Sequence, residues 1–315
     1  EPMTMDFLPD NQIIIIERKG GVKIFDEKNQ TMTVIATLPV NRKYINKAGR
    51  VREAEEGLMG VVVDPDFIKN NWIYFYYADS DEPKHVLARY TLKNNALLAA
   101  SKKIVIEVPT QREECCHTGG GMQFDKEGNL YLSIGNNTVN PRSGASNLDE
   151  RPGHKNEDDQ RGPANSNDLR GKIIKIYPED DGSYSIPKGN LFPIGMKNTC
   201  PEIFTMGHRN PWRISIDSKT GYLYWGEVGP DANKDSIWGP KGYDEFNQAK
   251  GPGFFGWPYF IGNNQPYNHL VDFEGEKRIY GAAFDPTHPV NNSINNTGIK
   301  ELPLPVPALI YYPYG

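Results

Sequence analysis

Apolar residues along this chain fall into short runs separated by clusters of Asp, Asn, Pro and Gly, and few windows hold the spacing of an amphipathic helix. One unit recurs: an apolar run, a turn built on an aspartate, and a second apolar or aromatic run. Its turn residues are Asp10, Asp64, Asp125 and Asp217, and its second runs lie at 13–16, 72–77, 130–134 and 222–225. Asp, Asn and Gly tolerate the backbone angles of tight turns, so each unit predicts a β-hairpin. Runs at 21–25 and 86–90 add third strands. Repeated small antiparallel sheets predict propeller blades, with an ordinary β-sandwich as the alternative. The turn aspartates are unevenly spaced, and the excess falls in 137–167, a polar stretch expected to be one long surface loop.

Composition supports an all-β chain: 31 glycines and 25 prolines punctuate it, and 17 tyrosines suit pleated surfaces. A length of 315 residues with 37% hydrophobic residues can bury a large core in one all-β domain or in two smaller ones. The net charge of −5, with no basic run interleaved with aromatics, argues against nucleic acid as a partner. No stretch approaches the roughly 18 apolar residues of a transmembrane segment. The chain opens on Glu1-Pro2, so any export signal has been removed or lies outside this sequence, and the compartment stays open. Cys115, Cys116 and Cys200 have no zinc-type spacing. Buried thiols, a Cys115–Cys116 disulfide and a bridge to Cys200 all remain open. Glycosylation sequons at Asn29, Asn136, Asn291 and Asn295 carry little weight in a chain this rich in Asn.

Four segments could carry chemistry. Glu55-Glu56-Gly57-Leu58-Met59-Gly60 places paired acids before a strand, which alone reads as a solvated turn. In Cys115-Cys116-His117-Thr118-Gly119-Gly120-Gly121 a histidine precedes glycines that allow close approach of a ligand, although a lone histidine is more often structural. In Gly207-His208-Arg209-Asn210-Pro211-Trp212 the arginine fork could grip an oxygen-rich ligand or make a surface ion pair. Gly226-Glu227-Val228-Gly229-Pro230-Asp231, with Asp244-Glu245 and Gly253-Phe254-Phe255-Gly256-Trp257-Pro258, offers hard oxygens near glycine-rich turns, as calcium prefers.

Together these segments resemble the glucose/sorbosone dehydrogenase family. Its motifs stand in order as the 55–60 segment with Asp64-Pro65-Asp66-Phe67, His117 with Gly119-Gly120, Asp168-Leu169-Arg170-Gly171-Lys172-Ile173, the 207–212 segment, Gly229-Pro230-Asp231, and Asp244-Glu245-Phe246-Asn247 with Gly256-Trp257-Pro258. The resemblance spans nearly the whole chain. It implies a six-bladed β-propeller with pyrroloquinoline quinone across its top face, a single domain over 1–315 present as an incomplete ring of about four to five blades, truncated at both ends.

The resemblance further implies oxidation of an aldose or related sugar at CH–OH by hydride transfer to the quinone. His117 is expected to be the general base, and a histidine suits that role because its ordinary pKa lies near working pH. Arg209 is expected to stabilise the reduced quinone oxygen, with Asn210 a neighbouring cofactor contact. The carbonyls of Gly229 and Pro230 are expected to bind the calcium that polarises the quinone, and Glu245 with the Phe255 carbonyl to bind a second, structural calcium. Glu55 is a candidate substrate or cofactor contact. The expected partners are the sugar and an electron acceptor such as a cytochrome c or a quinone, in a periplasmic or extracellular setting.

Two departures bear on these expectations. Cys116 stands where soluble glucose dehydrogenases carry an acidic residue beside the histidine. Basic residues that bind the cofactor carboxylates in the family come from a later region than this chain reaches. A non-catalytic propeller that binds a protein or glycan is therefore the alternative. A calcium-dependent lactone hydrolase is a third reading, disfavoured because its metal would want converging acids and amides.

Overall fold

The computed structural model describes residues 1–138 and 146–315. Four sheets, each built on a four-stranded antiparallel meander, follow one another along the chain; the third also carries Tyr184–Ser185 and, in parallel on its last strand, Gly253–Phe254. The first comprises β1 (Pro2–Phe7), β2 (Ile13–Glu17), β3 (Gly21–Asp26) and β4 (Thr31–Thr37). The second comprises β5 (Leu58–Val63), β6 (Trp72–Ala78), β7 (Lys84–Lys93) and β8 (Ala96–Pro109). β9 (Met122–Phe124), β10 (Leu130–Ile134), β11 (Lys172–Pro178) and β12 (Ile203–Met206) build the third. β13 (Pro211–Ile216), β14 (Leu223–Glu227), β15 (Tyr243–Ala249) and β16 (Ile310–Pro313) build the fourth. The arrangement is that of a β-propeller with four blades built, within the four to five expected.

Side-chain alternation explains why the blades stack. Along β6, Ile73, Phe75 and Tyr77 enter a core shared with Ile14, Ile16, Val22 and Ile24 of the first blade. The intervening Tyr74 and Tyr76 enter a second core with Leu130, Leu132 and Ile174 of the third. A strand covered on both faces reads in sequence as an unbroken apolar run. Tyr131, Ile173 and Phe204 meet Leu223 and Trp225 at the third seam. β1, β5, β9 and β13 are innermost, and Arg213 of β13 donates to the Met3 carbonyl of β1 at 2.8 Å.

In such a meander the turn between second and third strands and the connection from fourth strand to next blade lie at one end. Loops 18–20, 38–57, 79–83, 110–121, 135–171, 207–210 and 228–242 therefore cluster there. The aspartate turns from which the hairpins were read mark the opposite end.

The described residues of 137–167 are a surface loop only in part: 151–157 are exposed or half-buried, and much of the rest is buried. Asp149, Asp158, Asp159 and Ser166 are fully buried, because a segment at 285–302 packs over them: Ser293 and Asn295 donate to Asp158 at 2.8 and 2.9 Å. Its residues 139–145 lie outside the described residues. Glu55-Glu56 is likewise only half the expected solvated turn, for Glu56 is buried against His85, Asn41 and Arg112. Cys115 and Cys116 form a vicinal disulfide and Cys200 is free. Of the sequons, Asn136 and Asn291 are buried and closed to glycosylation in the folded state.

Candidate functional site

His117 sits in the loop that enters the third blade, and its neighbours are backbone. A Cβ on Gly119 would lie 2.6 Å from the Ser133 carbonyl oxygen, one on Gly120 2.8 Å from Met59 Cβ, and one on Gly121 2.9 Å from the Trp212 carbonyl oxygen. The glycines expected to admit a ligand instead admit strands of three blades, which fixes the loop at the blade junction. His117 itself adopts a left-handed φ of 64°, a costly conformation for a side-chain-bearing residue. It is anchored on both sides: its N–H donates to Glu55 Oε2 at 2.8 Å, and its carbonyl accepts from Asn137 at 3.3 Å. Glu55 is thus a backbone clasp on the histidine.

The His117 ring is buried, with Nδ1 2.9 Å from Asn136 Oδ1. Asn136 Nδ2 in turn donates to Asp159 Oδ1 at 2.7 Å. Burial, with the nearby Arg209 charge, holds the imidazole well below its ordinary pKa, and the Asn136 bond only partly offsets this. The ring is therefore neutral at pH 7, as a general base must be.

Arg209 is carried by the short link between β12 and β13. Its N–H donates to Glu227, its Nη1 donates to the Val228 carbonyl at 3.2 Å, and its carbonyl accepts from Asn136 at 2.9 Å. Its guanidinium lies 5.9 Å from the Trp257 ring, and burial lowers its pKa against the opposing charges of Asp159, Asp231 and Glu227. Asn210 Oδ1 accepts from Gly119 N–H at 3.0 Å, tying this link to the histidine loop. Asn210 and Glu55, with Met3, Arg18, Ala54 and Trp212, line a cavity of about 360 Å³.

Beside Arg209 lies a smaller cavity of about 10 Å³, lined by Arg209, Glu227, Gly229, Glu245, Phe255 and Trp257 among others. That is roughly the room one water or one ion needs. Glu227 and Glu245 face each other as register partners on β14 and β15. Glu227 accepts from His208 Nδ1 at 3.1 Å and Trp225 Nε1 at 3.0 Å. Glu245 accepts from Gly262 N–H at 2.6 Å and Asn247 Nδ2 at 3.0 Å. Burial and the Glu227 charge push Glu245 up to about 8. Gly229, Glu245 and Phe255, expected to serve two calcium ions, thus meet at one cavity. Pro230 does not line it, since its carbonyl accepts from Ala232 N–H at 2.8 Å and faces Gly242.

Asn136 and Asp159 were not among the candidates read from the sequence, whereas Glu227 stood in the Gly226–Asp231 segment as one of its hard oxygens. Asn136 was visible only as a sequon, although a polar pair closing the apolar run 130–134 marks the site end of a strand. Elsewhere, Asp149, His154 and Glu157 converge, but Arg151 and Lys47 already pair with them.

The chain matches the family model described as Glucose / Sorbosone dehydrogenase over residues 1–300. It is 25% identical over 273 residues to quinoprotein glucose dehydrogenase B of Acinetobacter calcoaceticus, covering 83% of this chain and 51% of the relative. It is 24% identical over 261 residues to aldose sugar dehydrogenase YliI of Escherichia coli K12, covering 82% and 58%. The chain therefore spans about half the length of these curated relatives. In fold it is similar to an oxidoreductase (glucose dehydrogenase) from Thermus thermophilus, with a TM-score of 0.64 at 23% identity over 100% of this chain and 70% of that one. It is also similar to the PQQ-bound aldose sugar dehydrogenase of Streptomyces coelicolor, with a TM-score of 0.60 at 22% identity over 84% and 66%. The family match runs from residue 1 to residue 300 of a chain folded as four propeller blades, and the chain belongs to the glucose/sorbosone dehydrogenase family.

Proposed function

We propose that this chain carries the catalytic face of an oxidoreductase that oxidises an aldose or related sugar at CH–OH, using pyrroloquinoline quinone and calcium. The observation that carries the reading is the buried, neutral His117 held by one hydrogen-bonded frame to the buried cation Arg209. The residues suit an anionic, oxygen-rich cofactor. Arg209 hydrogen bonds to a carbonyl, and the Tyr267 OH nearby is buried without a hydrogen-bond partner among the described residues. Calcium suits the small cavity, where Glu245 and Glu227 offer carboxylates and Gly229 and Phe255 line the wall.

Pyrroloquinoline quinone, when bound, supplies the carbonyl that accepts hydride. His117 Nε2 takes the proton of the sugar hydroxyl whose carbon is oxidised. Arg209, in a water-poor setting, would stabilise negative charge on the acceptor oxygen. In this reading the sugar occupies the larger cavity, which Glu55 and Asn210 line and from which both bond the His117 loop. A cytochrome c or a quinone would take the electrons onward, and a periplasmic or extracellular setting accords with the Cys115–Cys116 disulfide.

Titration of the chain with the quinone, with and without calcium, followed by an aldose and an artificial acceptor, tests the reading. Calcium-dependent uptake weakened by Arg209→Ala, with turnover abolished by His117→Ala, is expected. Calcium binding with no quinone uptake would instead favour a non-catalytic binding propeller.

A further inference from the structure

We infer that Asp159, acting through Asn136, is the positioning residue that fixes the tautomer of His117, so that Nδ1 carries the hydrogen and Nε2 keeps the lone pair that accepts the substrate proton. The inference deepens the proposed dehydrogenase reading and rests on it for the role of His117. Burial pushes Asp159 up to about 6, so at pH 7.5 it is ionised and only accepts hydrogen bonds, and the Asn136 group 2.7 Å from Asp159 Oδ1 is the amide nitrogen. That leaves the amide oxygen for the other side, where the Thr138 N–H also donates to it at 3.3 Å. An amide oxygen cannot donate. The His117 nitrogen 2.9 Å from it is therefore the protonated one.

The three side chains are buried, so bulk water does not compete for these bonds. Asp159 is rigidly delivered. It opens a short 3₁₀ turn (Asp159–Arg161), its N–H donates to the Asn147 carbonyl at 2.9 Å, and the adjacent Asp158 is clamped by Ser293, Asn295 and the Gln160 N–H. The loop thus places one carboxylate behind the amide of Asn136. Without an acceptor there, rotating the Asn136 amide would turn its NH₂ toward Nδ1, stabilise the Nε2–H tautomer and remove the base. General-base catalysis contributes about 10²- to 10⁴-fold, so a loss of that order is at stake.

The test is nitrogen NMR of the His117 ring in the 315-residue chain without quinone or sugar, assigned against His117→Gln. Wild type and Asp159→Asn, whose amide oxygen can still accept, are expected to show the Nδ1–H tautomer. Asp159→Leu is expected to shift toward Nε2–H and, with quinone, calcium and sugar added, to lose about 100-fold in kcat with KM within about twofold. An Nε2–H ring in the wild type, or an unchanged ring in Asp159→Leu, overturns the inference. If Asp159→Leu does not fold, Asn136→Ala decides: the inference requires loss of the Nδ1–H preference, and its retention overturns it. A wild type that shows the Nδ1–H tautomer and the Asp159→Leu shift but turns over no aldose supports the tautomer device and overturns the proposed reaction.

Discussion

A histidine kept neutral by burial carries an acid liability. The folded His117 resists protonation to well below 6.5, whereas the unfolded chain takes up its proton near 6.5. Because the folded pKa is depressed, the stability contribution is complete above 6.5 and is lost as pH falls below it, at about 1.4 kcal/mol per pH unit. Between pH 7.5 and pH 5 the wild type should lose up to about 2 kcal/mol that His117→Gln does not lose, read from urea midpoints. Equal losses in both proteins would mean the ring takes up its proton in the fold. At this scale His117, Arg209, Asn210 and Glu55 were legible because each lies in a compact motif. Asn136 and Asp159 were not, since their roles come from contacts 19 and 23 residues apart that no local pattern encodes. Glu55 was legible as a position, but its part in holding the His117 N–H required the fold.

Loops place the site, and glycine controls how closely they pack. A Cβ at Gly135 would sit 2.1 Å from the His117 carbonyl oxygen and 2.9 Å from Asn210 Oδ1. Gly135→Ala should therefore displace the histidine loop, costing about 2 kcal/mol or more in urea unfolding and lowering kcat. A variant as stable and active as the wild type would mean the loop is loose. The facing pair on β14 and β15 gives a second expectation. Burial and Glu227 hold the Glu245 carboxyl above its unfolded value, so the stability it adds is lost as pH rises toward about 8. Calcium should restore it, by about 2.7 kcal/mol at a hundredfold excess over Kd, or roughly 5 °C in Tm. Glu245→Gln should abolish that increment without lowering the calcium-free Tm, because it also removes a like charge. Strand hairpins were legible from their aspartate turns, which close the end away from the site. The loops at the site end, and the joining of residues 310–313 to β15, depend on packing between distant segments.

Across the whole molecule three seams between blades are filled, and the two outward faces of the series are not. On the first blade Met5, Phe7, Met32 and Val34 are 56, 63, 51 and 59% exposed, and register places them on one face with Ile13, Ile15 and Phe25. On the fourth, Phe246, Ile310 and Tyr312 are 51, 56 and 47% exposed on one face with Tyr224. The blade count was legible because each blade repeats one turn chemistry. Which faces would be covered was not, since alternation marks a residue as apolar without naming its neighbour. Contiguous apolar patches of this kind drive association in water. Sedimentation of the 315-residue chain should show a weight-average mass that rises with concentration. Phe7→Asp with Val34→Asp, which charges the first face, should reduce it, and the His117 ring spectrum should stay unchanged because that face lies on the far side of the first blade from the shared core. A chain that remains monomeric at every concentration would mean that residues 1–315 keep these faces apart from one another. Association undiminished by the two aspartates would move the contact to the Phe246, Ile310 and Tyr312 face.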